Sequence, residues 1–376
     1  MKEGWEYGTI NDFCNVNYGT RVVRRNVTGD KYPVYGGGGE TFRMDEYNRE
    51  DCLVVARFAM SKQCTRIVKG KFFLNDSGLT VSPKESSGLD AKLLDRYLLA
   101  SNDLIYSYGR GSAQINLNVD EFRNMPLSFP KSLSEQQRIV DYLDAAFAKI
   151  DAMKANAEKS LNEAKALFQA ALKEMLEPKE VWEEKKLEDI VDSNCPISYG
   201  IVQQGDHIEG GVPVVRPVDL NQKYVSVDRL KCTTQSISSS YKRTILRGDE
   251  ILLGVRGTTG IVGIATDNMK GFNVNRGIVP LFFKDGIYRD FIYYEMLSPA
   301  MQSVFAEKTT GSTLKQINIK DLRKICFSYP LFEVQQSIVA TLDSLKSKVD
   351  RLQANFEKIS QECDALKQAI LRQVFE

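Results

Sequence analysis

The sequence predicts an α+β chain in which two mixed α/β globules are each followed by a long helix, the two helices pairing as a coiled coil. Three observations predict it. The phrase "SEQQRIVDYLD" at residues 134–144 returns as "EVQQSIVATLD" at 333–343. Around those phrases the text changes character, with neither Gly nor Pro from Ser134 to Glu177 or from Glu333 to the C-terminus. Elsewhere the chain is rich in Gly, aromatics and short β-prone runs, the signature of strands and turns. The expected organisation is a globule at 1–133, a helix at 134–178, a second globule at 179–332 and a second helix at 333–376, since 376 residues exceed one ordinary core.

In the first globule "YPVYGGGGETF" (Tyr32 to Phe42) reads as a strand ending in four glycines. "CLVVARF" (Cys52 to Phe58) and "KFFLNDSGLTVSP" (Lys71 to Pro83) read as strands and turns, and "DAKLLDRYLLASN" (Asp90 to Asn102) as an amphipathic helix. In the second, "GVPVVRPVDL" (Gly211 to Leu220), "GDEILLGVRGTTGIVGIAT" (Gly248 to Thr266) and "NRGIVPLFF" (Asn275 to Phe283) supply strands, and "RDFIYYEMLSPAMQSVFAEK" (Arg289 to Lys308) supplies helix. Both globules open alike, "WEYGTINDF" (Trp5 to Phe13) matching "WEEKKLEDI" (Trp182 to Ile190). They close alike too, "GSAQINLNVDEFRNMPLSFP" (Gly111 to Pro130) matching "GSTLKQINIKDLRKICFSYP" (Gly311 to Pro330). Each half is a similar frame around a divergent middle.

The second helix carries an a/d seam in Ile338, Leu342, Leu345, Val349, Leu352, Phe356, Ile359, Cys363, Leu366 and Ile370, stepping by four and three. Carried to the first helix in the same register, the seam is Ile139, Leu143, Ala146, Ile150, Met153, Ala157, Ser160, Ala164, Leu167 and Ala171. A large seam opposite a small one predicts that the helices pair with each other at close approach. Off the seam, Gln136, Gln137 and Asp144 recur as Gln335, Gln336 and Asp343, which heptad packing alone does not require. These six positions are the expected contact surface for a partner.

Composition narrows the chemistry. The 50 Lys plus Arg nearly cancel 49 Asp plus Glu, so nucleic-acid contact has to come from local clustering. From Thr20 to Asn75 eleven basic residues face six acidic ones, and from Arg216 to Arg256 eight face four, so the basic excess lies in the globules. The seven cysteines form no CxxC and fit reduced thiols in a cytosol. No run approaches the ~18 apolar residues of a membrane span, and "MKEGWEYG" lacks a signal peptide's apolar core, so a cytoplasmic protein is expected. The single histidine, His207 in "QQGDHIEGG", leaves little room for a His-based zinc site or a Ser-His-Asp triad. "GGGG" and "GVRGTTG" fit neither a P-loop nor a dinucleotide fingerprint, and no methyltransferase or nuclease motif is found, so the chain is expected to bind rather than to react, with no cofactor or metal of its own. Arg, Lys, Asn and Gln in turn-like contexts, as in "YGTRVVRRN", "YSYGRGSAQ", "SYGIVQQG" and "VNRG", suit reading of base edges.

In the order globule, helix, globule, helix, with the frame "W-x4-L/I-x-D", the "GS…QIN" and aromatic-Pro approach and the doubled "QQxIVxxLD", the whole chain resembles the specificity (S) subunits of type I restriction-modification enzymes. "LRGDEILLGVRGTTGIVG" (Leu246 to Gly263) is similar to that family's strand-turn-strand text. The resemblance implies two target recognition domains, each reading one half of a bipartite sequence in double-stranded DNA, and helices that act as a ruler for the unread spacer. It also implies two modification (methyltransferase) subunits and restriction (translocase/nuclease) subunits as partners, which would carry S-adenosylmethionine, ATP and Mg. DNA has twofold symmetry, so equivalent faces meet successive major grooves if the helices run antiparallel, the orientation expected here. A coiled-coil adaptor that does not bind DNA is the alternative.

The resemblance implies base-reading residues in the divergent middles, and the candidates lie there or at the start of the closing frame. The candidates in the first globule are Arg21, Arg24, Arg25, Tyr35, Gly37, Arg57, Lys62, Tyr108, Arg110 and Ser112. In the second they are Tyr199, Gln203, Gln204, Arg216, Arg256, Thr258, Thr259, Asn275, Arg276 and Lys315.

Overall fold

The computed structural model describes residues 2–311 and 315–375. It divides into two compact units, Met1–Ala157 with Phe356–Glu376, and Glu158–Asn355. The long helices span Leu133–Met175 and Phe332–Phe375, so each unit holds one stretch of both.

In the first unit the frame strand Trp5–Thr9 pairs antiparallel with Pro126–Pro130. Between them folds a six-stranded sheet in the order Cys14–Tyr18, Gly78–Pro83, Arg49–Ala56, Thr65–Leu74, Tyr32–Tyr35, Glu40–Met44. Its neighbours are antiparallel except Tyr32–Tyr35 beside Thr65–Leu74. The strand Arg49–Ala56 is central and buries both faces. Leu53 and Val55 meet the helix Ala91–Ala100 through Leu93, Leu94 and Leu98, while Val54 joins Val68, Phe72 and Leu74 behind, as the two-residue period of a pleated strand requires. Asp90 starts that helix by accepting from Leu93 N at 2.9 Å.

In the second unit Glu183–Lys186 pairs with Cys326–Tyr329, the same frame. Ile10 N donates to Met125 O at 3.0 Å in one unit, and Leu187 N to Ile325 O at 2.8 Å in the other. Two three-stranded sheets follow, Lys231–Thr233, Val212–Val215, Asn273–Val274 and Val262–Ile264, Ile251–Gly254, Ile278–Leu281. The second packs on Phe291, Ile292 and Met296 of the helix Arg289–Leu297.

The helices pair antiparallel, as expected. In the first unit Cys363 Sγ lies 3.8 Å from Ile150 O, Lys154 pairs with Asp364, Lys367 with Asp151, and Ile139 shares a core with Phe375. In the second, Phe168, Leu172 and Leu176 share a core with Ile338, Val339, Leu342 and Val349. One lane of the expected seam holds at Ile139, Ile338 and Leu345 but fails further along. Met153 and Leu167 are 59% and 61% exposed and Leu366 48%, while Leu161, Phe168, Leu172 and Leu371 are buried in their place. Each helix must cover its own globule as well as its partner helix, which turns the apolar stripe away from a pure a/d line. The first helix is also not uniformly small on its buried side, since Phe168 fills it.

Candidate nucleic-acid interface

In the first unit four chain segments converge at the C-terminal end of the strand Tyr32–Tyr35. Asn75 N donates to Tyr35 O at 2.9 Å, and its side-chain oxygen accepts from Ser77 N at 2.9 Å, making a tight turn. Arg57 N donates to Ser77 O at 2.8 Å. A Cβ on Gly37 would lie 2.8 Å from Ser77 O and 2.9 Å from Phe58 O, so only glycine lets these backbones touch. Arg66 fixes the glycine loop by donating to Gly37 O at 2.9 Å. Arg57 stands between the rings of Tyr18 and Phe58, 4.9 and 4.5 Å from their centroids, with Nη1 donating to Asp76 O.

Of the first-unit candidates, Tyr35, Gly37 and Arg57 thus belong to one cluster. Tyr35 packs edge-on against Phe72, 5.5 Å between centroids. Lys62 lies exposed on the loop after Arg57, which is laced to the strand Asn116–Leu117 and the residue before it by Leu117 N to Arg57 O and Met60 N to Ile115 O, both 2.8 Å. Arg110 forks onto Glu121 at 2.7 and 2.9 Å, Tyr108 O accepts from Asn118 N, and Ser112 is exposed. Arg21 lines a recess of about 370 Å³ with Thr28, Asp45 and Glu46, while Arg24 and Arg25 sit exposed on a 3₁₀ turn.

In the second unit, Arg216, Arg256, Thr258, Asn275 and Arg276 line one concavity of about 400 Å³. Arg216 is held by Asp219 through Nε at 3.2 Å and Nη2 at 3.0 Å. Asn275 accepts from Gly277 N at 2.9 Å and donates its own N to Val215 O at 2.9 Å. The Arg256 Nε is buried without a hydrogen-bond partner, and neither Arg256 nor Arg276 has an ion pair among the described residues. Lys315 is exposed beside them, its O accepting from Gly257 N at 2.9 Å. Thr259 meets Thr309 at 3.0 Å. Tyr199 is tied by its hydroxyl to Ile317 O and Ile319 N, Gln203 is exposed, and Gln204 is engaged with Lys231 and Thr233. His207 accepts from Cys232 N at 3.0 Å in a turn.

The middles are less divergent than their letters. Asn75 and Asn275 make the same two bonds, and a Cβ on Gly19 or Gly200 would fall 1.9 Å from Asn75 O or 2.1 Å from Val274 O. Leu117 N to Arg57 O is matched by Ile317 N to Val255 O at 2.9 Å. Tyr18, Asn75, Ser77 and Arg66 therefore belong to the first-unit cluster, although the candidates read from the sequence do not include them. The short echoes "NYGT" and "SYGI", "LNDSG" and "VNRGI", carried the signal. Of the closing frame, Ser312 to Leu314 lie outside the described residues.

The six positions expected to hold a partner divide. Gln137 and Gln336 are exposed. Gln136 and Gln335 are 0% exposed and fully bonded within the chain, so neither amide can reach a second protein, which corrects that expectation for the pair. Asp144 is half-buried against Arg96, with Nε 3.1 Å away. Asp343 receives the Tyr294 hydroxyl and Lys223. Burial alone would depress the Lys223 ammonium, but Asp343 and Asp290 outweigh it and hold its pKa above the ordinary lysine range.

The family model described as the type I restriction modification DNA specificity domain matches twice, over residues 2–163 and 179–361. The chain belongs to this family. Among curated members, the EcoBI specificity subunit of a type I restriction enzyme from Escherichia coli is 27% identical over 267 residues, 65% of this chain and 56% of that protein. The MjaIX specificity subunit from Methanocaldococcus jannaschii is 28% identical over 187 residues, 48% and 42% of the two chains. The chain thus spans about half the length of these specificity subunits. Its fold is similar to a solved chain from work on assembly and conformational transition of the type I R-M system, with a TM-score of 0.71 at 18% identity over 100% and 98% of the chains. It is also similar to the HsdS subunit from Thermoanaerobacter tengcongensis, TM-score 0.53 at 18% identity, over 100% and 97%. Among the described residues no helix is long and apolar enough to cross a membrane.

Proposed function

We propose that the chain is the sequence-reading subunit of a type I restriction-modification assembly in the cytoplasm. Each unit reads one half of a bipartite target in duplex DNA, and the two long helices fix the unread spacer between the halves. Two modification subunits, carrying S-adenosylmethionine-dependent adenine methylation, dock on the helices and globules, with Gln137 and Gln336 among their contacts. A restriction subunit using ATP and Mg joins that complex. The chain supplies specificity and no chemistry.

One observation carries this reading beyond the family: both units build the same tyrosine-glycine and asparagine turns beside an arginine-bearing loop. Of the residues at these sites, Arg256 is the strongest base reader, because its Nε has no hydrogen-bond partner and its guanidinium no ion pair among the described residues, which leaves it able to pair with guanine O6 and N7. Arg57, stacked and bonded, fits a backbone-shaping role. The test is binding of the chain with its modification subunits to duplex DNA across a salt series. Affinity should fall as salt rises. Arg256→Ala should relax discrimination at one base position by ~1–3 kcal/mol, whereas loss of a phosphate contact would weaken all sequences alike. Salt-independent or absent binding would instead favour a coiled-coil adaptor.

A further inference from the structure

The repeated glutamine that opens each long helix is spent inside the chain, in the same way twice. Gln136 Oε1 accepts from Asp90 N at 2.7 Å, and its Nε2 donates to Gly88 O and Pro130 O, both at 2.8 Å. Gln335 Oε1 accepts from Tyr288 N at 2.7 Å, and its Nε2 donates to Gly286 O at 3.1 Å and Pro330 O at 2.8 Å. Asp90 and Tyr288 are the N-cap residues of Ala91–Ala100 and Arg289–Leu297. Each glutamine therefore ties the start of a short helix to the start of a long one, and a buried amide with three partners holds its geometry because losing any one strands a polar group.

A second tie lies further along each pair. Arg96 of the first short helix reaches Asp144, and Tyr294 of the second reaches Asp343, which Lys223 also holds. One tie would leave a hinge; two separated ties fix tilt and rotation together. The short helices in turn pack on the sheets whose loops form the proposed reading faces, Leu93 and Leu98 against Leu53 and Val55, Phe291 against Ile251 and Val279.

We infer that Gln136 with Asp144, and Gln335 with Asp343, are positioning residues that set each reading face at a fixed angle to its long helix and so set the spacer length the chain accepts, without touching DNA. This rests on the proposed function. The ties persist although one unit has a six-stranded sheet and the other two three-stranded sheets, so they follow the helix joint and not a shared sheet.

The test is selection from a random duplex library by the full chain with its modification subunits, followed by sequencing. The wild type should return two half-site motifs at one spacer length. Gln136→Met combined with Asp144→Asn should return the same two motifs, while sites one base pair longer or shorter enrich about tenfold more than with the wild type. Asp144→Asn alone, at a half-exposed position, serves if the double variant does not fold, with a smaller spread of the same kind. An unchanged single spacer would overturn the inference, as would loss of the first half-site motif, which would mean that the ties shape the reading face itself. A wild-type chain that selects no bipartite motif would refute the reading beneath it.

Discussion

Glu295 lies in the helix Arg289–Leu297 with one carboxyl oxygen accepting from Ser328 N at 3.0 Å and the other without a partner. Burial pushes its pKa up to about 8, against an ordinary 4.5, and the Ser328 bond only partly opposes this. The folded chain keeps the acid protonated to about pH 8, while the unfolded chain ionises it from about 4.5, so its contribution to stability declines across that window and is flat above it. Glu295→Gln should therefore stabilise by an amount that grows from pH 5 to pH 8, reaching a few kcal/mol. Unfolding curves across that range check it; parallel profiles for the two proteins would rule it out. Tyr97, at the matching helix position of the first unit, donates to Pro126 O at 2.8 Å instead. Residue roles of this kind were poorly legible in the sequence. The doubling of Gln136 was visible, yet whether an amide faces a partner or its own fold depends on which backbone groups need it, and Asp90 N and Tyr288 N sit nearly fifty residues away.

At the scale of elements, several strands and short helices were legible, "CLVVARF" as a short run of apolar, β-branched residues and "DAKLLDRYLLASN" by its helical period, whereas strands such as Cys14–Tyr18 and Lys231–Thr233, which carry neither signal, were not. The long helices were legible as helices and only half legible as packing surfaces. Leu143, Ile150, Leu342 and Val349 face inward as the heptad requires, but the choice between Leu167 and Phe168 is made by the globule, which the helix text does not contain. Burial also predicts where their stability resides. Leu342→Ala should cost ~2–5 kcal/mol, since the side chain is 0% exposed. Asp151→Ala, which breaks the exposed pair with Lys367, should cost under ~1 kcal/mol. Denaturant unfolding of the full chain compares them, and equal costs would mean that the helices are held by their charges.

At the scale of the whole molecule, duplication was the most legible feature, because the frame strings and the doubled helix start are long enough to align by eye. The relation between the middles was not, since "LNDSG" and "VNRGI" share almost only the asparagine that makes the turn, and the loops around it differ in length and charge. The central claim is that one chain imposes a two-part sequence on DNA modification. Methylome sequencing of the host with and without the gene tests it most directly. A bipartite methylated motif with a single spacer should be present with the gene and vanish without it, whereas an unchanged methylation pattern, or loss of one continuous motif, would contradict the account.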